Sequence, residues 1–363
     1  MTFFHKWMRD MRDSQSPVGG FPGVAPFGQY GNEMMRLGWA DAGVIVPWTV
    51  WKQFGDKQII EENWVAMEFY MNHVNDTKYD HVALREENGN FQYADWLSYE
   101  ALESTSGQCW GPNGVRPEAV HYWSYLSASY WALDATYMAD MAKATGRDVA
   151  KYQQMAETAK AYIREQFMNT DGTFKLDVLN TMQTPALFAL KNGLVEGQAK
   201  ADMVARLRKN FEEHENCLQT GFLGTSILMA TLTENGMEDI AYELLFQRKN
   251  PSWLYSVDNG ATTIWERWNS YMVDEGMGPK GMNSFNHYAY GCVCEWIWET
   301  CAGISSDPAE PGFKHIIMKS AWRYEGDQWI WDFTIPQGAT ASVTLPGETE
   351  AKEYTAGTYQ IVK

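Results

Sequence analysis

The feature that most constrains this chain is a change of hydrophobic period near residue 307. Before it, apolar residues recur at helical spacing in one segment after another, and no strand alternation is clear ahead of residue 310. The helical segments are Phe3 to Met11, a run that turns helical after about Asp41 and ends near Trp51, and Lys57 to His73, which Asp56 is placed to cap. Pro117 to Thr145 is the longest, and Asp148 to Gln166 follows the break at Gly146. Then come Thr184 to Leu190, Gly197 to Asn210, Gly221 to Glu234, Asp239 to Gln247 and Ser284 to Cys301. Helices that succeed one another in pairs imply a helical-hairpin architecture of about ten to twelve helices. Asp307-Pro-Ala-Glu-Pro-Gly312 reads as a linker. Beyond it Lys314–Met318, Trp329–Ile335, Ala339–Leu345 and Tyr359–Val362 alternate and are rich in β-branched and aromatic residues. The expectation is a mainly α domain over residues 1–306 and a small antiparallel β-sheet domain over 307–363.

Composition narrows the function. The formal charge of −17 disfavours nucleic acid and anionic membranes, which select basic surfaces, and is compatible with a neutral glycan. No apolar run reaches the roughly 18 to 20 residues that span a bilayer. Met1 to Arg12 lacks the apolar region of a signal peptide, which makes the cytoplasm the default compartment. The five cysteines have no zinc-ribbon spacing and read as reduced, buried thiols. There is no dinucleotide fingerprint, Walker pattern, His-Glu-x-x-His or nucleophile elbow. No organic cofactor is expected, and no spacing supports a metal.

The densest chemistry lies in Gly260-Ala-Thr-Thr-Ile-Trp-Glu-Arg-Trp268. Glu266 stands between two indoles in sequence, Trp265 and Trp268, and indole faces stack on the apolar faces of sugar rings. The plainer reading is a Trp-rich segment whose Glu266 pairs with Arg267 at the surface. Pro251-Ser-Trp-Leu-Tyr255 precedes this stretch, and Asn283-Ser-Phe-Asn-His-Tyr-Ala-Tyr-Gly291 follows it.

Together these three segments resemble the catalytic domain of the α-L-rhamnosidases of glycoside hydrolase family 78. The resemblance extends over nearly the whole chain, including the C-terminal β-region. It implies an (α/α)6 barrel with the site at one mouth, built from inter-helix loops, and an inverting hydrolysis of terminal α-L-rhamnose. Glu266 would be the general base, and His287, 21 residues downstream, would line the sugar pocket. Family members are usually longer, with β-domains ahead of the barrel.

Inverting hydrolysis also needs an acid to protonate the leaving oxygen, held roughly 6.5–9.5 Å from the base. The Gly28–Gly43 stretch offers Glu33 and Asp41 around Arg36 and Trp39. The family pattern Glu-Arg-x-Gly-Trp-Thr-Gly-Asp is not matched strictly, because Met35 stands where its acid would be and Asp41 lies two rather than three residues after Trp39. Either Glu33 is the acid and Asp41 a sugar ligand, or Asp41 is the acid. The structural alternatives are a loop charge for Glu33 and a helix N-terminal residue for Asp41. Arg36 is a candidate to bind substrate or orient Glu33. Trp39, Trp96 and, by position only, Trp123 are candidate pocket indoles, with Trp265 beside the base. Asp95, in Tyr93-Ala-Asp-Trp-Leu97, either contacts a sugar hydroxyl or caps a helix; the family's usual Gly before it is Ala94 here. The rival readings are another all-α-barrel carbohydrate hydrolase or lyase, and a glycan-binding domain without catalysis.

Overall fold

The computed structural model describes residues 1–26, 35–36, 38–77, 92–102, 110–111, 114–318, 323–345 and 347–363. Helices dominate up to residue 301 and strands after it. They are α1 (Thr2–Asp13), α2 (Ala42–Phe54), α3 (Gln58–Thr77), α4 (Pro117–Thr145), α5 (Val149–Phe167), α6 (Gln183–Lys191), α7 (Gly197–Glu213), α8 (Phe222–Glu234), α9 (Glu238–Phe246), α10 (Trp253–Asp258) and α11 (Val293–Trp296). Their ends follow local chemistry. Pro117 opens α4, where its missing N–H costs nothing, and Gly146 closes it at φ 71°. Asp148 caps α5 by accepting from the Lys151 N–H, and Asp56 accepts from the Gln58 N–H at the start of α3.

The chain forms two compact units. One comprises residues 10–44 and 65–293; the other comprises 1–9, 45–64 and 294–363. In the first, α4 and α5 form a hairpin and α6 packs on α8. α4 is buried over most of its circumference, from Ala119 to Ala142, as a helix apolar all round must be. In the second unit, His5 bonds Asp56 at 2.8 Å and Glu62 at 2.9 Å, tying α1 to the start of α3. The linker packs on α2 there, with the Gly312 N–H on the Lys52 carbonyl at 3.1 Å.

In the first unit β1 (Trp110–Gly111) pairs with β2 (Gly114–Val115) and β3 (Tyr271–Met272) with β4 (Gly276–Met277), each antiparallel; the strands of the second unit build two small sheets. β5 (Ile304–Ser306), β6 (His315–Met318), β9 (Thr340–Val343) and β10 (Lys352–Tyr354) lie in the order β10-β9-β6-β5. β7 (Arg323–Glu325), β8 (Gln328–Ile335) and β11 (Gly357–Val362) lie in the order β11-β8-β7. All pairs are antiparallel except β6 with β9. The β7–β8 hairpin crosses to the other sheet between those two strands, so the chain re-enters in the same direction. Ile316, Met318, Trp331, Phe333, Ala341 and Val343 form the core between them.

One expected helix is different. Ser284 to Tyr288 is irregular, and the helical path starts only at Ala289, as a 3₁₀ turn to Cys292, then α11, then a π segment over Ile297–Cys301. The cause is competition for backbone partners. The Ser284 carbonyl takes the Glu266 N–H at 2.9 Å, and the His287 N–H goes to the Ile264 carbonyl at 2.8 Å. Those groups pair with a neighbouring segment and are unavailable to a helix.

Candidate active site

The same two hydrogen bonds build the site. They lay residues 264–266 alongside 284–287 in antiparallel fashion, and the Ser284 N–H closes on the Glu266 Oε2 at 2.7 Å. Glu266 is half-buried, and Oε2 is fixed by a backbone donor that it meets across a rung rather than by a cation. Arg267 does not pair with it; its guanidinium reaches Asn269 and the Met282 carbonyl. On His287 the Nδ1 accepts from the Ala289 N–H at 3.3 Å, which leaves the ring proton on Nε2 as a donor.

A wall of rings continues from His287. Its imidazole stacks on Phe222, with centroids 5.0 Å apart. The Phe222 N–H bonds the Trp96 carbonyl at 3.0 Å. Trp96 meets Tyr93 edge-on at 5.2 Å, Tyr93 lies against Trp39 at 4.9 Å, and the Arg36 guanidinium sits over Tyr93 at 5.9 Å. Glu266, His287, Phe222, Trp96, Tyr93 and Trp39 are all half-buried and so keep an accessible face. Arg36 is buried beneath them. Glu266, His287, Trp96, Trp39 and Arg36 were expected from the sequence. Phe222 and Tyr93 were not, and only the placement of Tyr93 inside the Tyr-Ala-Asp-Trp run was a signal for it.

Glu33 falls outside the described residues. Trp123 is fully buried within α4. Trp265 is buried edge-on to Phe285, and Trp268 stacks on Tyr290 with its Nε1 on the Thr220 carbonyl at 2.9 Å. Trp253, Trp265, Trp268 and Tyr290 line a cavity of about 260 Å³, which neither Glu266 nor His287 touches. Asp95 is fully buried. Its Oδ2 accepts from Thr184 Oγ1 at 2.6 Å and the Gly221 N–H at 2.8 Å, and its Oδ1 from the Gly224 N–H at 2.8 Å. It therefore caps α8 from a loop far away in sequence, not the segment that follows it. Burial pushes its carboxyl up, against the pull of those donors. Asp41 is also fully buried, immediately ahead of α2, with the Gly38 N–H on Oδ2 at 2.6 Å and the Tyr70 hydroxyl on Oδ1 at 2.9 Å. Its oxygens face protein.

The profile of the bacterial alpha-L-rhamnosidase 6 hairpin glycosidase domain matches residues 1–301. This chain belongs to that family. The fold is accordingly the (α/α)6 barrel of the six-hairpin glycosidases followed by small β-sheets. An alpha-L-rhamnosidase of Streptomyces avermitilis is 31% identical over 98% of this chain and 34% of its own length. One from Formosa agariphila is 32% identical over 95% of this chain and 37% of its own. The crystal structure of the Streptomyces avermitilis enzyme, solved with L-rhamnose, superposes with a TM-score of 0.84 at 28% identity, covering 99% of this chain and 36% of that one. The chain thus spans about a third of the length of these rhamnosidases. Among the described residues no three His, Cys, Asp or Glu side chains gather as a metal site, and no helix is long and apolar enough to cross a membrane.

Proposed function

We infer that this chain carries the catalytic barrel of an α-L-rhamnosidase and hydrolyses terminal α-L-rhamnosides with inversion. The observation that carries this is the Glu266 carboxylate, pinned through Oε2 to the Ser284 N–H on the same paired segments that hold the half-buried His287. With Oε2 held, Oε1 is left to take a proton from a water that attacks the anomeric carbon. Stacked on Phe222, His287 offers its Nε2–H to a sugar hydroxyl. The rings of Trp39, Tyr93 and Trp96 supply the flat apolar wall that a deoxyhexose with a methyl group prefers. Of the two candidate acids, Asp41 has no face open to a leaving oxygen, so the reading gives that role to Glu33.

Hydrolysis of p-nitrophenyl α-L-rhamnopyranoside by the chain and its variants tests this. Glu266→Gln is expected to lose at least about 10³-fold in kcat with rhamnose binding retained. Glu33→Gln is expected to stay active on p-nitrophenol, which leaves without help, and to fail on an alkyl rhamnoside. Proton NMR of the first product formed reads inversion directly. A Glu266→Gln variant as active as its parent sinks the mechanism, and a Glu33→Gln variant unaffected on the alkyl substrate moves the acid to another residue.

A further inference from the structure

Asp134 has no place in the reaction described so far, yet its surroundings are unusual. It sits midway along α4, fully buried, and neither carboxyl oxygen meets a hydrogen-bond donor. The group it does meet is the carboxyl of Asp41, itself fully buried. Two carboxylates cannot bond each other; a carboxylic acid and a carboxylate can. The oxygens of Asp41 accept from the Gly38 N–H and the Tyr70 hydroxyl, so Asp41 is the acceptor of the pair and Asp134 holds the proton. Burial and then the neighbouring Asp41 push the Asp134 carboxyl far above its ordinary range.

Asp41 closes a turn that carries the wall. The Trp39 and Ala40 N–H groups both bond the Arg36 carbonyl, at 3.1 and 2.9 Å, and the Gly38 N–H returns to Asp41. Tyr70 from α3 holds one side of the Asp41 carboxyl, and Asp134 from α4 faces it. We propose that Asp134 is a positioning residue: as a carboxylic acid it donates to Asp41 and so locks the Arg36–Asp41 turn, with Trp39 presented to the substrate. The substrate part rests on the rhamnosidase reading; the locking of the turn does not. Among the described residues Tyr70 and Tyr130 also face the pair, and Tyr130 is driven far up by burial and by Asp41, Asp95 and Asp134, so it stays neutral. Above the point where Asp134 ionises, repulsion replaces the bond and the turn is released.

Hydrogen exchange of residues 35–44 in the intact chain, read by mass spectrometry as protection over the intrinsic rate, tests the lock. Asp134→Asn keeps the shape and replaces O–H with N–H, without a titration. Asp134→Leu removes the donor. Over a pH titration from about 5 into the alkaline range, protection in the parent is expected to fall as Asp134 ionises, while Asp134→Asn stays unchanged. At about pH 5, where the parent holds the lock, Asp134→Leu is expected to exchange at least about tenfold faster than the parent. Parent-like protection in Asp134→Leu, or the same pH response in Asp134→Asn as in the parent, overturns the proposal. Calorimetric titration with L-rhamnose separates the two readings. If the exchange results hold and no form binds rhamnose, the lock stands and the rhamnosidase reading falls. If rhamnose binds equally to all three, Asp134 does not position the wall.

Discussion

At Gly221 a side chain has no room. A Cβ there would lie 2.2 Å from the Asp95 carbonyl oxygen and 2.3 Å from that of Trp96, both backbone atoms that cannot swing aside. The approach lets the Phe222 N–H reach the Trp96 carbonyl and so joins the ring that backs His287 to the loop that carries Trp96. Gly221→Ala is therefore expected to lose at least ~2 kcal/mol, seen as a lower urea midpoint, and to weaken rhamnose binding with it. An unchanged midpoint would show that the loop is not held there. The same loop holds Ala94 at φ 51° and Leu97 at φ 64°, conformations that L residues adopt at a cost of roughly 1–2 kcal/mol each. A glycine would suit that backbone; with Ala94 in place the strain is retained and the packing around Asp95 holds it.

The loop of residues 92–102 works as an element because its two acids cap two helices. Asp95 takes the first N–H groups of α8, and Glu100 Oε1 takes the Gln183 and Thr184 N–H groups at the start of α6, the latter at 3.1 Å. Burial, with a smaller push from Asp95, drives the Glu100 carboxyl up to about 8. For an acid raised on folding, the unfolded chain gives up its proton first. Stability is then highest below the ordinary glutamate range and falls as the pH climbs toward about 8, at a slope near 1.4 kcal/mol per unit. Glu100→Gln keeps the accepting oxygen and is expected to flatten that slope in urea titrations run across the range; a slope as steep as the parent's would place the proton elsewhere. None of this was legible in the sequence. The helices were, because period and caps are local: the 29-residue α4 was bounded by its own Pro117 and Gly146. Glu266, His287, Trp39 and Trp96 could be singled out as candidates from short runs, and the structure leaves each of them half-buried. The capping role of Asp95 was not legible, since its partners Gly221 and Gly224 lie more than 120 residues away, and neither was the irregular path of Ser284–Tyr288, whose backbone is claimed by residues 264 and 266.

Over the whole molecule the charge of −17 and the buried acids pull stability the same way with pH, and they can be separated. Lowering the pH from about 8 toward about 5.5 reduces repulsion among surface carboxylates only slightly, because most ionise below that range. The buried acids Asp95, Glu100 and Asp134 all bind protons more tightly in the fold than in the unfolded chain, so each favours the folded state as the pH falls. Salt acts on one contribution and not the other. At about 0.5 M the Debye length shrinks to a few ångströms, and repulsion between exposed charges is largely screened. A proton held in a dry interior is screened far less. Melting the chain at both pH values in low and high salt should therefore raise the midpoint at each pH with salt, while the difference between the two pH values persists. A pH difference that vanishes in high salt would assign the effect to the surface. One that survives salt but halves in Glu100→Gln would divide it among the buried acids, and so tie the global pH response to the loop that frames the candidate site.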